Sequence, residues 1–266
     1  MISILNKKWE ILNVSDAPLR TKLLKNRGLE KSAEIEEFLE PEKYGKFHDP
    51  YKFEDMEKVF KRIHAAIEKK ERVIVFGDYD VDGITSAAIL VKTLAKLGAN
   101  VSYRLPHRVS DGYGLKEKFV REFIKLGVGL VITVDCGISC GAEIELAHKN
   151  GIDVIVTDHH AIPASPPKKA FAIIHPLYSG YPFKDLTGAG IAFKLAQALT
   201  EDACDFLDLA AMGTVADIGL LTGENRLIVK RGLMRLAKTN FTGLQSLKEL
   251  AGIKDGKVGT REIGYR

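Results

Sequence analysis

From residue 72 onward the chain alternates short β-branched runs with stretches of helical periodicity, and few folds accept that alternation. Strands are predicted at Arg72–Phe76 (RVIVF), Val101–Leu105, Leu130–Val134 (LVITV), Asp153–Thr157 (DVIVT) and Phe171–Ile174. Helices are predicted at Ile84–Leu97, Lys116–Leu126 and Gly141–Asn150, and again over 188–200 and 202–215. Strands so nearly continuous in apolar residues need cover on both faces. Strand–helix–strand crossovers are right-handed and leave the strands parallel. The expected fold class is therefore α/β: a doubly wound, mainly parallel sheet with helices on both faces. A helical N-terminal arm precedes it, where Leu23, Leu24, Ile35, Phe38 and Leu39 suggest two short helices broken near Gly28 and closed by Pro41. Phe53, Met56, Val59, Phe60, Ile63 and Ile67 mark another helix over 53–70, ending on Lys69 and Lys70. Residues 240–266 read as a short helix and an irregular end. The expected division is 1–50 for the arm, 51–240 for the α/β domain and 241–266 for a C-terminal helix or linker.

Composition narrows the function classes. With 266 residues, 45% hydrophobic and 28% charged, the chain can bury a real core. No run of about 18 apolar residues predicts a membrane span, and Met1–Lys8 lacks the apolar stretch of a signal peptide. A cytoplasmic protein is the default expectation. A net charge of +4 permits a polyanionic partner without demanding one. Three cysteines, an odd and sparse set, suit a reducing compartment. Cys136 and Cys140 fall short of the four ligands of structural zinc and read as buried or near-surface thiols. Gly77 and Gly83 do not fit a phosphate-cradling loop, and no G-x-G-x-x-G follows a strand, which argues against a dinucleotide-binding role.

The chemistry follows the strands. After Phe76 come Asp78, Asp80 and Asp82; after Val134, Asp135; after Thr157, Asp158-His159-His160; after Ile174, His175-Pro176. Open parallel sheets bind ligands at the carboxyl ends of their strands. Taken singly, Asp82 or Asp135 could cap a helix, His159 and His160 could be a polar loop, and Asp78-Tyr79-Asp80 a solvated turn. Together they point to a shared site. Two carboxylates about 4 Å apart repel by roughly 1–4 kcal/mol in polar surroundings, so such a crowd calls for divalent cations. Oxygen donors with an added imidazole suit Mn²⁺ or Mg²⁺, and a two-metal site would clamp both oxygens of a phosphoryl displacement. Arg104, His107 and Arg108 follow the second strand and could bind phosphate. Gly188-Ala189-Gly190 opens a helix whose free N–H groups could do the same, or it is a tight start packed close to the sheet. His175 reads as a loop residue with a lesser claim on the site. Tyr113 could stack on a base, but a core tyrosine is the preferred reading.

At these residues the sequence resembles the DHH phosphoesterase superfamily, named for the triplet present here as Asp158-His159-His160, and within it the bacterial single-strand-specific 5′→3′ DNA exonucleases. The segments LLKNRGLEKSAEIEEFLEP, GDYDVDGITS, LPHRVSDGYGL, VDCGIS, TDHH, HP, LTGAGIAFKL and AAMGTVADIGLLTGENR occur in that family's order. The resemblance implies Asp80, Asp82, Asp135, His159 and Asp217 as metal ligands, with Asp82 and Asp135 shared. It implies Asp78 as a partner of the cluster and His160 as a group facing the scissile phosphate. Asp217 is singled out only by the resemblance. Catalytic weight is thus expected on Asp82, Asp135, His159 and His160, with hydrolysis assisted by Mn²⁺ or Mg²⁺. Single-stranded DNA is the implied partner, with a single-strand-binding protein or helicase as candidate protein partners in repair or recombination. Many members carry a histidine four residues before the position of Asp80, where this chain has Phe76. A second domain and an OB-fold are expected beyond residue 266. Relatives that act on oligoribonucleotides, cyclic dinucleotides or pyrophosphate, and replication scaffolds that have lost activity, supply the alternative readings.

Overall fold

A computed structural model describes residues 7–8, 16–178, 180–253 and 257–265, in two compact units, Met1–Gly45 and Lys46–Arg266. In the first, α1 (Leu19–Lys25) and α2 (Ser32–Leu39) flank Gly28, whose φ of 75° lets the chain turn between them. As expected, α2 ends just before Pro41, which also opens a one-turn helix, α3 (Pro41–Tyr44), at a position where its missing N–H costs no bond.

The second unit is built on a five-stranded sheet in the order β2-β1-β3-β4-β5, every pairing parallel. The strands are β1 (Arg72–Gly77), β2 (Asn100–Arg104), β3 (Val128–Val134), β4 (Asp153–Thr157) and β5 (Ala172–Ile174). Their side chains alternate between two cores. Val73, Val75, Leu130, Ile132, Val134 and Ile155 face α4 (Met56–Glu68), α5 (Val81–Lys96), α8 (Gly188–Leu199) and α9 (Leu207–Ala216). Ile74, Phe76, Val131, Val154 and Val156 face α6 (Glu117–Lys125) and α7 (Gly141–Lys149). Each fully buried aliphatic side chain of this kind stabilises the fold by about 1.5–3 kcal/mol relative to exposure. The expected α/β class, with helices on both faces, is what the structure has.

Three expectations need correction. The helix predicted over 202–215 starts only at Leu207, because Glu201–Phe206 winds as a 3-10 helix capped by the Thr200 hydroxyl, which accepts from the Asp202 N–H. Between 215 and 240, where no helix is predicted, lies α10 (Gly223–Ala237) packed along α9. A β-carbon on its Gly232 would sit 2.2 Å from the Leu207 carbonyl oxygen, so the two helices can cross closely only with glycine there. The tail is helical twice, in α11 (Thr242–Leu250) and α12 (Thr260–Tyr265), where one helix and an irregular end are predicted.

Chain direction across the sheet reverses at β1. From there the chain moves to β2 on one side, then crosses back to β3 on the other. The carboxyl ends of β1 and β3 therefore open a crevice between outgoing connections, the usual ligand position in such sheets.

Candidate metal centre

Three aspartates follow β1, and each is held differently. Asp80 is the N-cap of α5, with Oδ1 accepting from the Gly83 N–H at 2.9 Å. Asp82, which the spacing alone could have made the cap, lies in the first turn and is 1% exposed. Its two carboxylate oxygens accept from the N–H groups of Gly188, at 2.7 Å, and Ala189, at 2.8 Å. The open end of α8 thus places its positive dipole on a buried carboxylate. Asp78 is buried, and its Oδ1 has no hydrogen-bond partner.

Asp135 ends β3 rather than capping a helix. Its φ of 60° is left-handed, a conformation uncommon outside glycine that recurs at functional sites. The bond from its N–H to the Thr157 carbonyl, 3.0 Å, keeps the strand end in register while the side chain turns toward α8. Gly188 accommodates it: a β-carbon there would lie 2.7 Å from the Asp135 β-carbon.

The end of β4 supplies the imidazoles. His159 Nε2 lies 3.0 Å from Asp135 Oδ1, 3.8 Å from Asp82 Oδ2 and 3.8 Å from Asp217 Oδ2. Asp217 is the C-cap of α9. Three groups have ligand atoms within 4.8 Å of one another: Asp82, His159 and Asp217; Asp78, Asp80 and Asp135; and Asp135, His159 and His160. Asp135 and His159 therefore link the groups. His160 approaches through Nδ1, 4.0 Å from Asp135 Oδ1, but that nitrogen is 2.8 Å from Asp158 Oδ1. Buried Asp158 also accepts from the N–H groups of His159 (2.7 Å), His160 (3.1 Å) and, through Oδ2, Ile138 (2.9 Å).

These partners set the charges. Burial, then the neighbouring Asp80, pushes the Asp135 carboxyl up to about 9. Burial, then Asp135, holds Asp82 well above the usual carboxylate range, and burial also raises Asp78 and Asp217. Asp158 goes the other way: burial opposes ionisation, but the bonds from His160, Ile138 and the His160 backbone outweigh it and lower its pKa. The bond to Asp158 lifts His160 to about 9.

The donor set fits divalent cations. Asp78 Oδ1, Asp135 Oδ1 and His159 Nε2 are buried lone-pair atoms without hydrogen-bond partners, and they belong to the linked groups. Several carboxylate oxygens and one imidazole suit Mg²⁺ or Mn²⁺ better than softer metals. No cysteine joins such a group among the described residues; Cys136 and Cys140 are buried thiols, as read from their spacing.

The substrate-facing residues divide. Arg108 lies at the mouth, its guanidinium 4.4 Å over the Tyr79 ring, in a cleft of about 400 Å³ that Asp80, Asp82 and Asp217 also line. Arg104 does not face the cluster: it pairs with Glu122 at 3.4 Å and lies over the Phe119 ring of α6. His107 serves its own loop, with Nδ1 accepting from the Val109 and Ser110 N–H groups. The N–H groups of Gly188 and Gly190 are not open to phosphate, because Asp82 occupies the first and the Thr187 hydroxyl accepts from the second. His175 is fully buried, with Nε2 2.8 Å from the His160 carbonyl, and supports the loop. Tyr113 is not a core residue; it is 36% exposed, with its hydroxyl 3.1 Å from His160 Nδ1. Sequence reasoning missed the part played by Asp158, whose one visible signal is an acidic side chain immediately before several N–H groups after an apolar strand.

Residues 72–214 match the DHH family, N-terminal domain. The chain is 42% identical over 252 residues to the single-stranded-DNA-specific exonuclease RecJ of Bacillus subtilis, covering 94% of this chain and 32% of that protein. It thus spans about a third of that relative's length. Among solved structures it resembles an exonuclease RecJ bound to manganese, with a TM-score of 0.73 and 39% identity over 79% of this chain and 55% of the other. It also resembles RecJ in complex with Mn²⁺ from Thermus thermophilus, with a TM-score of 0.69 and 37% identity over 80% and 31% of the two chains.

Proposed function

The chain belongs to the DHH family, and on that premise we propose that it is the catalytic core of a phosphodiesterase that degrades single-stranded DNA from the 5′ end using Mn²⁺ or Mg²⁺. One observation carries the reading: carboxylates and imidazoles from the ends of β1, β3 and β4 and from α9 converge on three groups linked through Asp135 and His159. The names of the relatives support the choice of single-stranded DNA, and the 5′ polarity comes only from the family resemblance.

In this reading Asp82, His159 and Asp217 would hold one cation, and Asp78, Asp80 and Asp135 would hold the other. A divalent pair, when bound, supplies Lewis acidity at phosphate oxygens and at water. The protein's own groups do the rest. The N-terminus of α8 fixes both oxygens of Asp82, so that its carboxylate needs no reorganisation. Asp158 accepts a hydrogen bond from the Nδ1–H of His160 and, by lifting the ring's pKa to about 9, leaves the Nε2–H of this half-exposed imidazolium to donate to a phosphate oxygen. Arg108, over Tyr79, would grip the phosphate of a neighbouring nucleotide. Free thiols at Cys136, Cys140 and Cys204 suit a reducing cytoplasm. The same reading would couple the chain to a supplier of single strands, a helicase or a single-strand-binding protein.

The test is digestion of 5′-labelled single strands, oligoribonucleotides and cyclic dinucleotides, with Mn²⁺ or Mg²⁺, by the chain and its Asp135→Ala variant. Release of labelled mononucleotide from DNA by the parent alone is expected. Equal digestion by both proteins would remove the reading.

A further inference from the structure

Asp158 and Tyr113 meet the same nitrogen of His160, at 2.8 and 3.1 Å. The carboxylate of Asp158 can only accept, so Nδ1 carries the hydrogen. The Tyr113 oxygen then accepts from that same N–H and is left with its own hydrogen to donate. The Asp135 carbonyl oxygen, 3.4 Å away, is the acceptor in reach. The two rings stand 5.2 Å apart at 59°, so the tyrosine also limits rotation of the imidazole.

This bond crosses three elements. Tyr113 lies in the loop between β2 and α6, Asp135 follows β3, and His160 follows β4. Asp135 is also the residue held at a φ of 60°, one position past the end of β3. A phenol there secures a strained strand end and a substrate-facing ring at once.

We infer that Tyr113 is a positioning residue: through one hydroxyl it fixes the ring plane of His160 and the backbone of Asp135. The inference rests on the hydrolytic reading above, and it deepens that reading by assigning the loop after β2 a share in turnover. Tyr113 touches none of the groups that hold cations by side chain in the three clusters except His160. Its loss should therefore leave cation and substrate binding in place.

Tyr113→Phe keeps the ring and removes only the hydroxyl. With 5′-labelled single-stranded DNA and Mn²⁺, the variant should lose about tenfold or more in kcat, with KM and the Mn²⁺ midpoint within about twofold and an unchanged melting temperature. An unchanged kcat overturns the inference, and so does a fall in kcat accompanied by equal losses in KM, Mn²⁺ affinity and melting temperature, which would mark a structural role alone. A second readout needs no turnover. In ¹⁵N-imidazole spectra of the Mg²⁺-loaded chain, the His160 Nδ1–H should be slow to exchange, and in Tyr113→Phe it should exchange about tenfold faster or more. Identical His160 signals in the two proteins would overturn the positioning role. Equal digestion by the parent and Asp135→Ala would instead sink the hydrolytic reading, so the two failures look different.

Discussion

Asp158 has no seat in any of the three cation-capable groups, yet four N–H donors from Ile138, His159 and His160 end on it. Asp158→Asn would turn an amide N–H against some of these donors. Bonds to charged groups contribute about 1.5–3 kcal/mol each. A loss of about 2–3 kcal/mol in urea unfolding is expected, with turnover falling further than Mn²⁺ affinity. Because those bonds lower its pKa, Asp158 adds stability above the ordinary carboxylate range and loses it on acidification. The cluster acids have the opposite sign. Asp135, pushed up to about 9, favours the folded state while protonated, and Asp82, Asp78 and Asp217 lean the same way. The metal-free chain should therefore lose stability as pH rises from about 4 to about 9. Melting temperatures in EDTA at pH 5, 7 and 9 check this, and Mn²⁺ should remove most of the decline. Asp78, Asp80, Asp82, Asp135 and His159 were legible because each follows an apolar strand. Asp217 was not, since a carboxylate at a helix end looks the same whether or not another element brings a histidine to it. The parts played by Tyr113 and Asp158 depend on where backbone N–H and C=O groups point, which spacing does not encode.

At the scale of elements, the start of α8 does the work expected of a phosphate site, but for a carboxylate of the same chain. Gly188→Ala should bring its methyl against Asp135, costing about 1–3 kcal/mol by overpacking. Mn²⁺ titration should show weakened binding, and thermal melting the loss of stability. The strands were readable from β-branched runs, and α5 to α8 from their periodicity. By contrast, α10 was invisible: GENRLIVKRGLMRLA has glycine at its start and middle and basic residues throughout. It is helical because α9 packs along it and because Glu224 is buried in a network with Lys194. In that network Nζ lies 3.1 Å from Glu224 Oε1, and Tyr181 donates to Oε2 at 2.7 Å. Lys194→Ala would leave the Glu224 charge buried without its cation, met only by the Tyr181 hydroxyl and the His48 N–H. A loss of about 3–5 kcal/mol is expected, read from the urea midpoint.

For the molecule as a whole, a cation bound only by the folded chain must stabilise it. At a hundredfold excess over Kd the gain is about 2.7 kcal/mol, and differential scanning calorimetry with Mn²⁺ and then EDTA should show the melting temperature rise and return. The manner of that gain follows from where the chelating atoms originate. They hang from the tips of β1, β3 and β4 and from the far end of α9, so a chain with any one of these strands unplaced has lost two of the three groups. Such a centre closes last and opens first. In stopped-flow experiments Mn²⁺ should slow escape from the native basin while leaving the rate of entry unchanged, the mark of contacts absent from the folding barrier.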